Sequence, residues 1–183
     1  MQIEHEIKIL EIEVEQAKNR LAELWATFPG TKMFRRYVYD AKPVSYERWL
    51  RLRTDGSLTQ LTFKHIVDES RIDGVKEWEV TVDDFDMTNL LLNQLWYQAK
   101  AYQENIRHSY TLHDCEIEID EWPGIPAYIE IEWPNIEAVR ATVEMLWYAD
   151  HETTSDNTTK IYRRYGIADL ESIEVLSFET MKR

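Results

Sequence analysis

The chain opens with the stretch Ile3-Glu4-His5-Glu6-Ile7-Lys8-Ile9, in which charged and apolar side chains alternate. Successive side chains of a β-strand point to opposite faces, so this pattern predicts a strand over about residues 2–10. Glu4, Glu6 and Lys8 then share one face, and the isoleucines face the core. Two carboxylates beside an ammonium group form half of a site for a divalent cation and a phosphate oxygen. The competing interpretation is the solvated face of an edge strand.

Four further stretches repeat this alternation of charge. Acidic rows occur at Glu77-Trp78-Glu79, Glu116-Ile117-Glu118 and Glu130-Ile131-Glu132, and a basic row occurs at Arg51-Leu52-Arg53. Like charges that face each other across neighbouring strands repel. Several acidic rows in one sheet therefore need cations between them or ample water. A closed sheet with a charged lumen would supply those cations, which favours a barrel.

Length and composition predict a single globular domain over residues 1–183. A content of 44% hydrophobic and 12% aromatic residues is enough for a sizeable core. The formal net charge of −13 argues against non-specific binding to nucleic acid or to an anionic membrane, because both need a basic surface. A basic pocket inside an acidic shell is compatible with this charge, and such a pocket could hold a small polyanion.

The cysteine count and the hydropathy of the chain predict a cytoplasmic, soluble protein. Cys115 is the only cysteine, so no intramolecular disulfide can form, which suits a reducing compartment. The N-terminal residues lack the apolar core of a signal peptide. No apolar run approaches the roughly 20 residues that a helix needs to span a bilayer.

The remaining pattern predicts eight strands and three main helices. The predicted strands cover about residues 2–10, 32–41, 46–53, 58–66, 77–82, 99–112, 114–122 and 127–133. The predicted helices cover about residues 11–28, 86–96 and 135–148, with a short helix around 160–165. Asp55-Gly56 and His113-Asp114 predict turns, while Asp86 and Asn135 are the predicted N-caps. These elements predict an α+β fold whose sheet curls into a barrel, with the helices packed outside.

Seven short motifs follow one another in an order and at a spacing that together are fairly specific. In chain order they are Glu4-His5-Glu6-Ile7-Lys8, Trp49-Leu50-Arg51-Leu52-Arg53, Leu61-Thr62-Phe63-Lys64, Lys76-Glu77-Trp78-Glu79-Val80, Ile106-Arg107-His108-Ser109-Tyr110, Glu118-Ile119-Asp120-Glu121-Trp122 and Tyr128-Ile129-Glu130-Ile131-Glu132. Through them, nearly the whole chain resembles the CYTH superfamily, the triphosphate tunnel metalloenzymes named after bacterial class IV adenylate cyclase and thiamine triphosphatase. The resemblance implies an eight-stranded antiparallel β-barrel whose tunnel binds a triphosphate and divalent metal.

The resemblance also implies roles for individual residues. The triphosphate would be bound by Lys8, Arg51, Arg53, Lys64 and Arg107. The metal, Mg²⁺ or Mn²⁺, would be held by acidic residues of the lumen, namely Glu4, Glu6, Glu77, Glu79, Asp120, Glu130 and Glu132. The predicted catalytic residues are Glu4, Glu6, Lys8 and Lys64. Family members usually have a basic residue at the position of Asn105, and often an arginine at that of Val75, so the lumen here is expected to be less basic.

The function that this resemblance implies is a metal-dependent phosphohydrolase for a nucleoside or other organic triphosphate. Two alternatives stay open. One is a class IV adenylate cyclase, which makes cyclic AMP and pyrophosphate from ATP. The other is a binding module that holds a phosphorylated ligand without turning it over. The expected partner is a small-molecule triphosphate rather than nucleic acid or a membrane, and a homodimer is the candidate assembly.

Overall fold

The structure is a computed structural model that describes residues 5–67, 75–133, 135–167, 170 and 173–181. The predicted site residue Glu4 lies outside this range. The strands are β1 (His5–Ile9), β2 (Thr27–Ser45), β3 (Arg48–Thr54), β4 (Thr59–Ile66), β5 (Val75–Val82), β6 (Ala99–Leu112), β7 (Cys115–Glu121), β8 (Tyr128–Trp133), β9 (Thr153–Thr154) and β10 (Val175–Leu176). The helices are α1 (Val14–Glu23), α2 (Phe85–Gln94), α3 (Ile136–Met145) and α4 (Thr158–Arg164). None of the described helices is both long and apolar enough to cross a membrane.

The ten strands form one sheet in the order β5-β4-β3-β2-β6-β7-β8-β1-β9, with β10 beside β6. Pairing is antiparallel from β5 to β2 and from β6 to β9, whereas β10 runs parallel to β6. The α+β class is confirmed, but the predicted closed barrel of eight strands is wrong, because the sheet is open and has ten strands. The added strands are the two-residue β9 and β10. Among the described residues nothing pairs β5 with β9, and β9 takes part of the β1 edge that closure would use.

The chain divides into two compact units. Unit 1 consists of residues 1–32 and 106–168, and unit 2 consists of residues 33–105 and 169–183. Strands β2 and β6 contribute residues to both units.

The core of unit 1 is built from the isoleucines that alternate with charged residues. Ile117 pairs with Ile131 and Ile119 pairs with Ile129, and all four side chains are fully buried. Helices α1 and α3 cover this face of the sheet with a set of buried apolar side chains: Ala17, Leu21, Val139 and Val143. The charged side chains of β1, β7 and β8 therefore lie on the opposite face.

The core of unit 2 lies between the sheet and α2. Tyr39 of β2 and Leu52 of β3 are fully buried against Phe85 and Leu92 of the helix. The Tyr37 ring stacks on the Phe85 ring with the centroids 5.2 Å apart. The residues of β3 that alternate with Leu52 consequently point away from α2.

Local signals placed several elements correctly. The Asp55-Gly56 turn is confirmed, since Gly56 has φ +88° and the Asp55 carboxylate accepts from the Leu58 N–H at 2.7 Å. Asn135 caps α3 as predicted, accepting from the Glu137 N–H. The predicted N-cap Asp86 is wrong. Asp84 caps α2 instead, because its carboxylate accepts from the N–H of residue 87.

The predicted end of the first helix at about residue 28 is also wrong, because α1 stops at Glu23 and residue 27 already belongs to β2. Trp25 reverses the chain in the left-handed conformation, with φ +58°. Its N–H donates to the Ala22 carbonyl, while the Ala26 N–H donates to the Leu21 carbonyl. This is the Schellman pattern, in which glycine is the usual left-handed residue.

Helices α2 and α3 end in the same way, at Trp96 (φ +67°) and Trp147 (φ +66°). Only α4 of the four described helices has a glycine at this position, Gly166 (φ +83°), directly after the short helix predicted around 160–165. Three helices thus place a bulky side chain where L-residues are strained by about 1 kcal/mol or more. Trp25 gains little in exchange, because 91% of its surface is exposed.

Replacing Trp25 with glycine is therefore expected to raise the free energy of unfolding by about 1 kcal/mol, measured by urea denaturation. Trp147→Gly is the matched control. Its ring lies 3.7 Å from the Arg20 guanidinium, so the lost cation–π contact offsets the relief of strain. Equal effects of the two substitutions would contradict this account of the strain.

Candidate functional site

In unit 1 the sheet face opposite the isoleucines carries a continuous set of charged side chains. They come from β1, β8, β7 and β6. The antiparallel register of these strands places the charged side chains next to one another; Lys8, for example, lies opposite Glu130. This acidic face consists of Glu6, Lys8, Arg107, Glu116, Glu118, Asp120, Glu130 and Glu132. Its six carboxylates outnumber its two cations, so the face has a surplus of negative charge.

Lys8 is the buried cation of the acidic face, with 4% of its surface exposed. Its ammonium group pairs with Glu6 and lies 3.7 Å from Oε1 of Glu130. Burial lowers the pKa of Lys8, and the charges of Glu130 and Asp120 oppose that effect. The surrounding carboxylates therefore compensate the lysine charge at this buried position.

Arg107 connects three carboxylates on the same face. Its Nε donates to Oδ1 of Asp120 at 2.8 Å and its Nη2 donates to Oδ2 at 2.6 Å, which makes a bidentate pair. The same nitrogens lie 3.5 Å from Glu118 and from Glu130, respectively. Burial alone would lower the pKa of Arg107, but the hydrogen bonds and charge of Asp120 raise it above its ordinary value. The charge of Arg107 is thus already matched within the face.

Glu118 is a carboxylate of the acidic face whose charged form is disfavoured. Burial raises the pKa of Glu118, and the neighbouring charges of Asp120 and Glu130 raise it further. Arg107 and the Ser109 hydroxyl, which donates to Glu118 at 3.0 Å, lower it without cancelling the rise. An added cation would relieve this repulsion.

The donor chemistry of the acidic face suits a hard divalent cation, since Mg²⁺ and Mn²⁺ prefer carboxylate oxygens. Across the described ranges, however, no three Asp, Glu, His or Cys side chains are grouped as a ready metal site. Arg107 already lies 3.5 Å from both Glu118 and Glu130, the two carboxylates that would bind a cation together. Metal binding by Glu118 or Glu130 would require that carboxylate to exchange its arginine contact for the ion.

In unit 2 the sheet face opposite Tyr39 and Leu52 carries mainly positive charge. Its side chains come from β2, β3, β4 and β5 in antiparallel register. This basic face consists of Arg36, Arg51, Arg53, Gln60, Thr62, Lys64, Glu77 and Glu79. Four cations stand against two carboxylates in this set, and Asp40 on the same side of β2 is paired with Lys100 at 2.8 Å, so the face favours an anionic ligand.

Both carboxylates of the basic face belong to β5, and each accepts hydrogen bonds from side chains of β4. Lys64 donates to Oε1 of Glu77 at 2.5 Å, and the Thr62 hydroxyl donates to Oε2 of Glu79 at 2.9 Å. The Gln60 amide donates to the other oxygen of Glu79. The predicted metal ligands of this strand thus contact a lysine, a hydroxyl and an amide.

Arg51 is a cation of this face with a buried donor that lacks an acceptor among the described residues. Its Nε is buried and has no hydrogen-bond acceptor within the described part of the chain. Burial lowers the pKa of Arg51 and the charge of Arg53 lowers it further, whereas Glu77 and Glu79 raise it. The pKa of Lys64 is lowered by burial and by Arg51. Because a buried donor without an acceptor costs free energy, an oxygen-rich anion would stabilise this face.

The structure gathers the predicted site residues in two groups. The acidic face contains Glu6, Lys8, Arg107, Asp120, Glu130 and Glu132, and the basic face contains Arg51, Arg53, Lys64, Glu77 and Glu79. Sequence reasoning missed Arg36, because both sides of residues 32–41 carry large or charged side chains and no alternation marks the faces. It also left Glu118 out of the metal set, although its spacing from Asp120 already places both on one side of β7.

Comparison with known proteins identifies relatives of this fold. A family model described as the CYTH domain matches residues 2–165. The PH1012 protein from Pyrococcus horikoshii is 20% identical, with 83% of this chain and 94% of that chain covered and a TM-score of 0.62. A candidate adenylate cyclase from Vibrio parahaemolyticus is 15% identical, with coverages of 88% and 98% and a TM-score of 0.66.

A third structure is a candidate adenylyl cyclase from Hippeastrum, whose description reports a dominant triphosphatase activity. It is 18% identical, covers 90% of this chain and 96% of its own, and has a TM-score of 0.60. No curated protein matches the chain significantly in sequence. Likeness to these structures shows the fold alone, whereas the family model extends over every residue of the acidic and basic faces. The chain therefore belongs to the CYTH domain family.

Proposed function

We propose that this protein is a metal-dependent phosphohydrolase that acts on a nucleoside or other organic triphosphate. The observation that carries the proposal is the basic face, where Arg51, Arg53 and Lys64 lie together and the buried Nε of Arg51 has no acceptor among the described residues. Phosphate oxygens are strong, negatively charged acceptors, and a planar guanidinium can bind two of them at once. A triphosphate therefore supplies what this face lacks.

The chemistry follows from charge. A triphosphate resists attack by water until the charge on its oxygens is neutralised. Arg51, Arg53 and Lys64 would provide that neutralisation, most effectively where charge develops on the oxygen that leaves. Water then attacks the terminal phosphorus, the bond to the bridging oxygen breaks, and inorganic phosphate and a diphosphate are released.

The acidic face is the candidate metal centre in this proposal. Glu118 and Glu130 would contribute carboxylate oxygens, with Glu6 and Glu132 on the same face. A bound Mg²⁺ or Mn²⁺ would supply positive charge of the kind that neutralises phosphate oxygens. The raised pKa of Glu118 supports this role. Burial is its main cause and the charges of Asp120 and Glu130 add to it, and a nearby cation would favour the charged carboxylate against both.

A substrate panel tests the proposal. Purified protein is incubated with nucleoside, thiamine and inorganic triphosphates in Mg²⁺, in Mn²⁺ and in EDTA, and released phosphate is measured. We expect release from at least one organic triphosphate with either metal and none in EDTA. Absence of release from every compound would count against hydrolysis.

The product separates hydrolysis from cyclisation. In a class IV adenylate cyclase, the ribose 3′-hydroxyl attacks the α-phosphorus of ATP and pyrophosphate leaves. Chromatography of the ATP reaction would then show cyclic AMP and pyrophosphate instead of ADP and phosphate.

A binding module without turnover is the second candidate that an observation favours. Arg107 and Lys8 already engage the carboxylates of the acidic face, and the described residues contain no ready metal cluster. Calorimetry that shows nucleotide binding, with no product over hours, would support this alternative. The small-molecule partner, the cytoplasmic location and a homodimer stay predictions.

A further inference from the structure

We infer that Arg36 is a further phosphate-binding cation of the basic face, and that Asn105 is the positioning residue that holds its guanidinium there. The inference rests on the proposed function and extends it to a residue pair that the sequence motifs do not contain. Both residues belong to unit 2, Arg36 on β2 and Asn105 on β6.

The strand register brings Arg36 into the cationic group. Arg36 stands directly opposite Arg53 across the β2–β3 pair, and Arg51 is two residues further along the same side of β3. Like charges opposite each other on neighbouring strands are destabilising. A polyanion such as a triphosphate would stabilise these three arginines by binding among them.

One acceptor of the Arg36 guanidinium is a neutral amide. Nη2 of Arg36 donates to the side-chain oxygen of Asn105, a residue that is 1% exposed. An amide oxygen orients the guanidinium without neutralising it, whereas a carboxylate at that position would cancel the charge. A second donor of this guanidinium, the buried Nε of Arg36, has no hydrogen-bond acceptor in the described part of the chain.

This geometry changes the expectation for position 105. The neutral Asn105 predicted a less basic site. However, the Asn105 amide accepts a hydrogen bond from Arg36 of β2, so an arginine side chain lies at this position. The positive charge that relatives usually carry at position 105 of β6 is thus supplied here by Arg36 of β2.

Arg35 provides the matched control, because it carries the same charge one residue earlier on the other side of β2. Its guanidinium lies 5.1 Å from the Phe85 ring, in the core-side cleft of unit 2. Replacing either arginine with glutamine removes one positive charge from the same strand. Only the Arg36 change removes it from the basic face.

The test is calorimetric binding of inorganic tripolyphosphate in EDTA at fixed ionic strength, so that no metal or turnover is needed. We expect Arg36→Gln to weaken binding about tenfold or more and Arg36→Lys to weaken it much less. Arg35→Gln should change the affinity by less than about twofold, the size expected of an exposed charge. Thermal melts of all variants confirm that they are folded.

Asn105 is tested through its coupling to Arg36. Asn105→Ala should weaken binding in the wild-type background and have little further effect when Arg36 is already glutamine. Adding Asn105→Lys to Arg36→Gln should restore most of the affinity. Equal effects of the Arg36 and Arg35 substitutions, or additive effects of the pair, would overturn the inference.

Arg53→Gln separates this inference from the proposed function. If Arg53→Gln weakens binding but Arg36→Gln does not, only the inference fails. If the wild-type protein binds no tripolyphosphate and the panel shows no turnover, both fail.

Discussion

Substituting Lys64 with alanine is expected to reduce triphosphate turnover at least a hundredfold, and Glu130→Gln is expected to do the same. Removal of a single preorganised charge that stabilises the transition state costs about a hundredfold to a thousandfold in turnover. Lys64 belongs to the cationic group of the basic face, and Glu130 lies at the centre of the acidic face between Lys8 and Arg107. Initial rates on the best substrate of the panel measure both effects.

Each variant has a matched control in its own unit. Lys76→Ala removes an exposed lysine of β5 from the side opposite Glu77, and Glu144→Gln removes an exposed carboxylate of α3. Both controls should retain turnover within about twofold of the wild type, as expected for exposed charges outside the site. Circular dichroism shows whether the variants keep their fold. Wild-type turnover in Lys64→Ala or in Glu130→Gln would exclude that residue from the site.

The largest loss of stability is expected from Asp120→Ala, at about 3 to 5 kcal/mol of unfolding free energy. The Asp120 side chain is 0% exposed and binds Arg107 through both oxygens. Removing the carboxylate leaves a largely buried guanidinium without its bidentate partner. Asp120→Asn should cost less, because an amide oxygen can still accept one hydrogen bond while Glu118 and Glu130 remain near the arginine.

Asp156→Ala is the control for that loss, because Asp156 also pairs with an arginine. Arg164 donates to one oxygen of Asp156 through Nε at 3.1 Å and Nη2 at 2.6 Å, but 27% of the Asp156 side chain is exposed, against 0% for Asp120. Exposed ion pairs contribute little to stability. We expect urea denaturation to show nearly unchanged stability for Asp156→Ala, and a similar loss for both substitutions would refute the role assigned to burial.

Much of the fold could be predicted because its signals are local. Alternation of isoleucine with charge fixes both faces of β1, β7 and β8, since one face must be buried. The turn at Asp55-Gly56 and the cap at Asn135 depend on side-chain chemistry within three residues. The rows Glu130-Ile131-Glu132 and Arg51-Leu52-Arg53 therefore appear on the charged faces that their spacing predicted.

The parts that could not be predicted depend on distant pairings. Two-residue strands such as β9 and β10 are too short to show periodicity, so the sequence pattern did not predict them or the open sheet. Trp25 adopts a left-handed conformation that is unfavourable for a tryptophan. Because no glycine marks this position, the sequence did not indicate where α1 ends. Arg36 lies in a strand with large side chains on both sides, and only its contacts with β3 and β6 reveal its face.

The position of β5 at the end of the sheet has a consequence for solubility. An outermost strand with free backbone groups can recruit strands from other molecules and so begin aggregation. In the described structure β5 has no partner on its outer side, and its exposed Trp78 and Val80 would favour such recruitment. The ionised Lys76, Glu77 and Glu79 oppose it, so variants that neutralise this strand should be handled at low concentration.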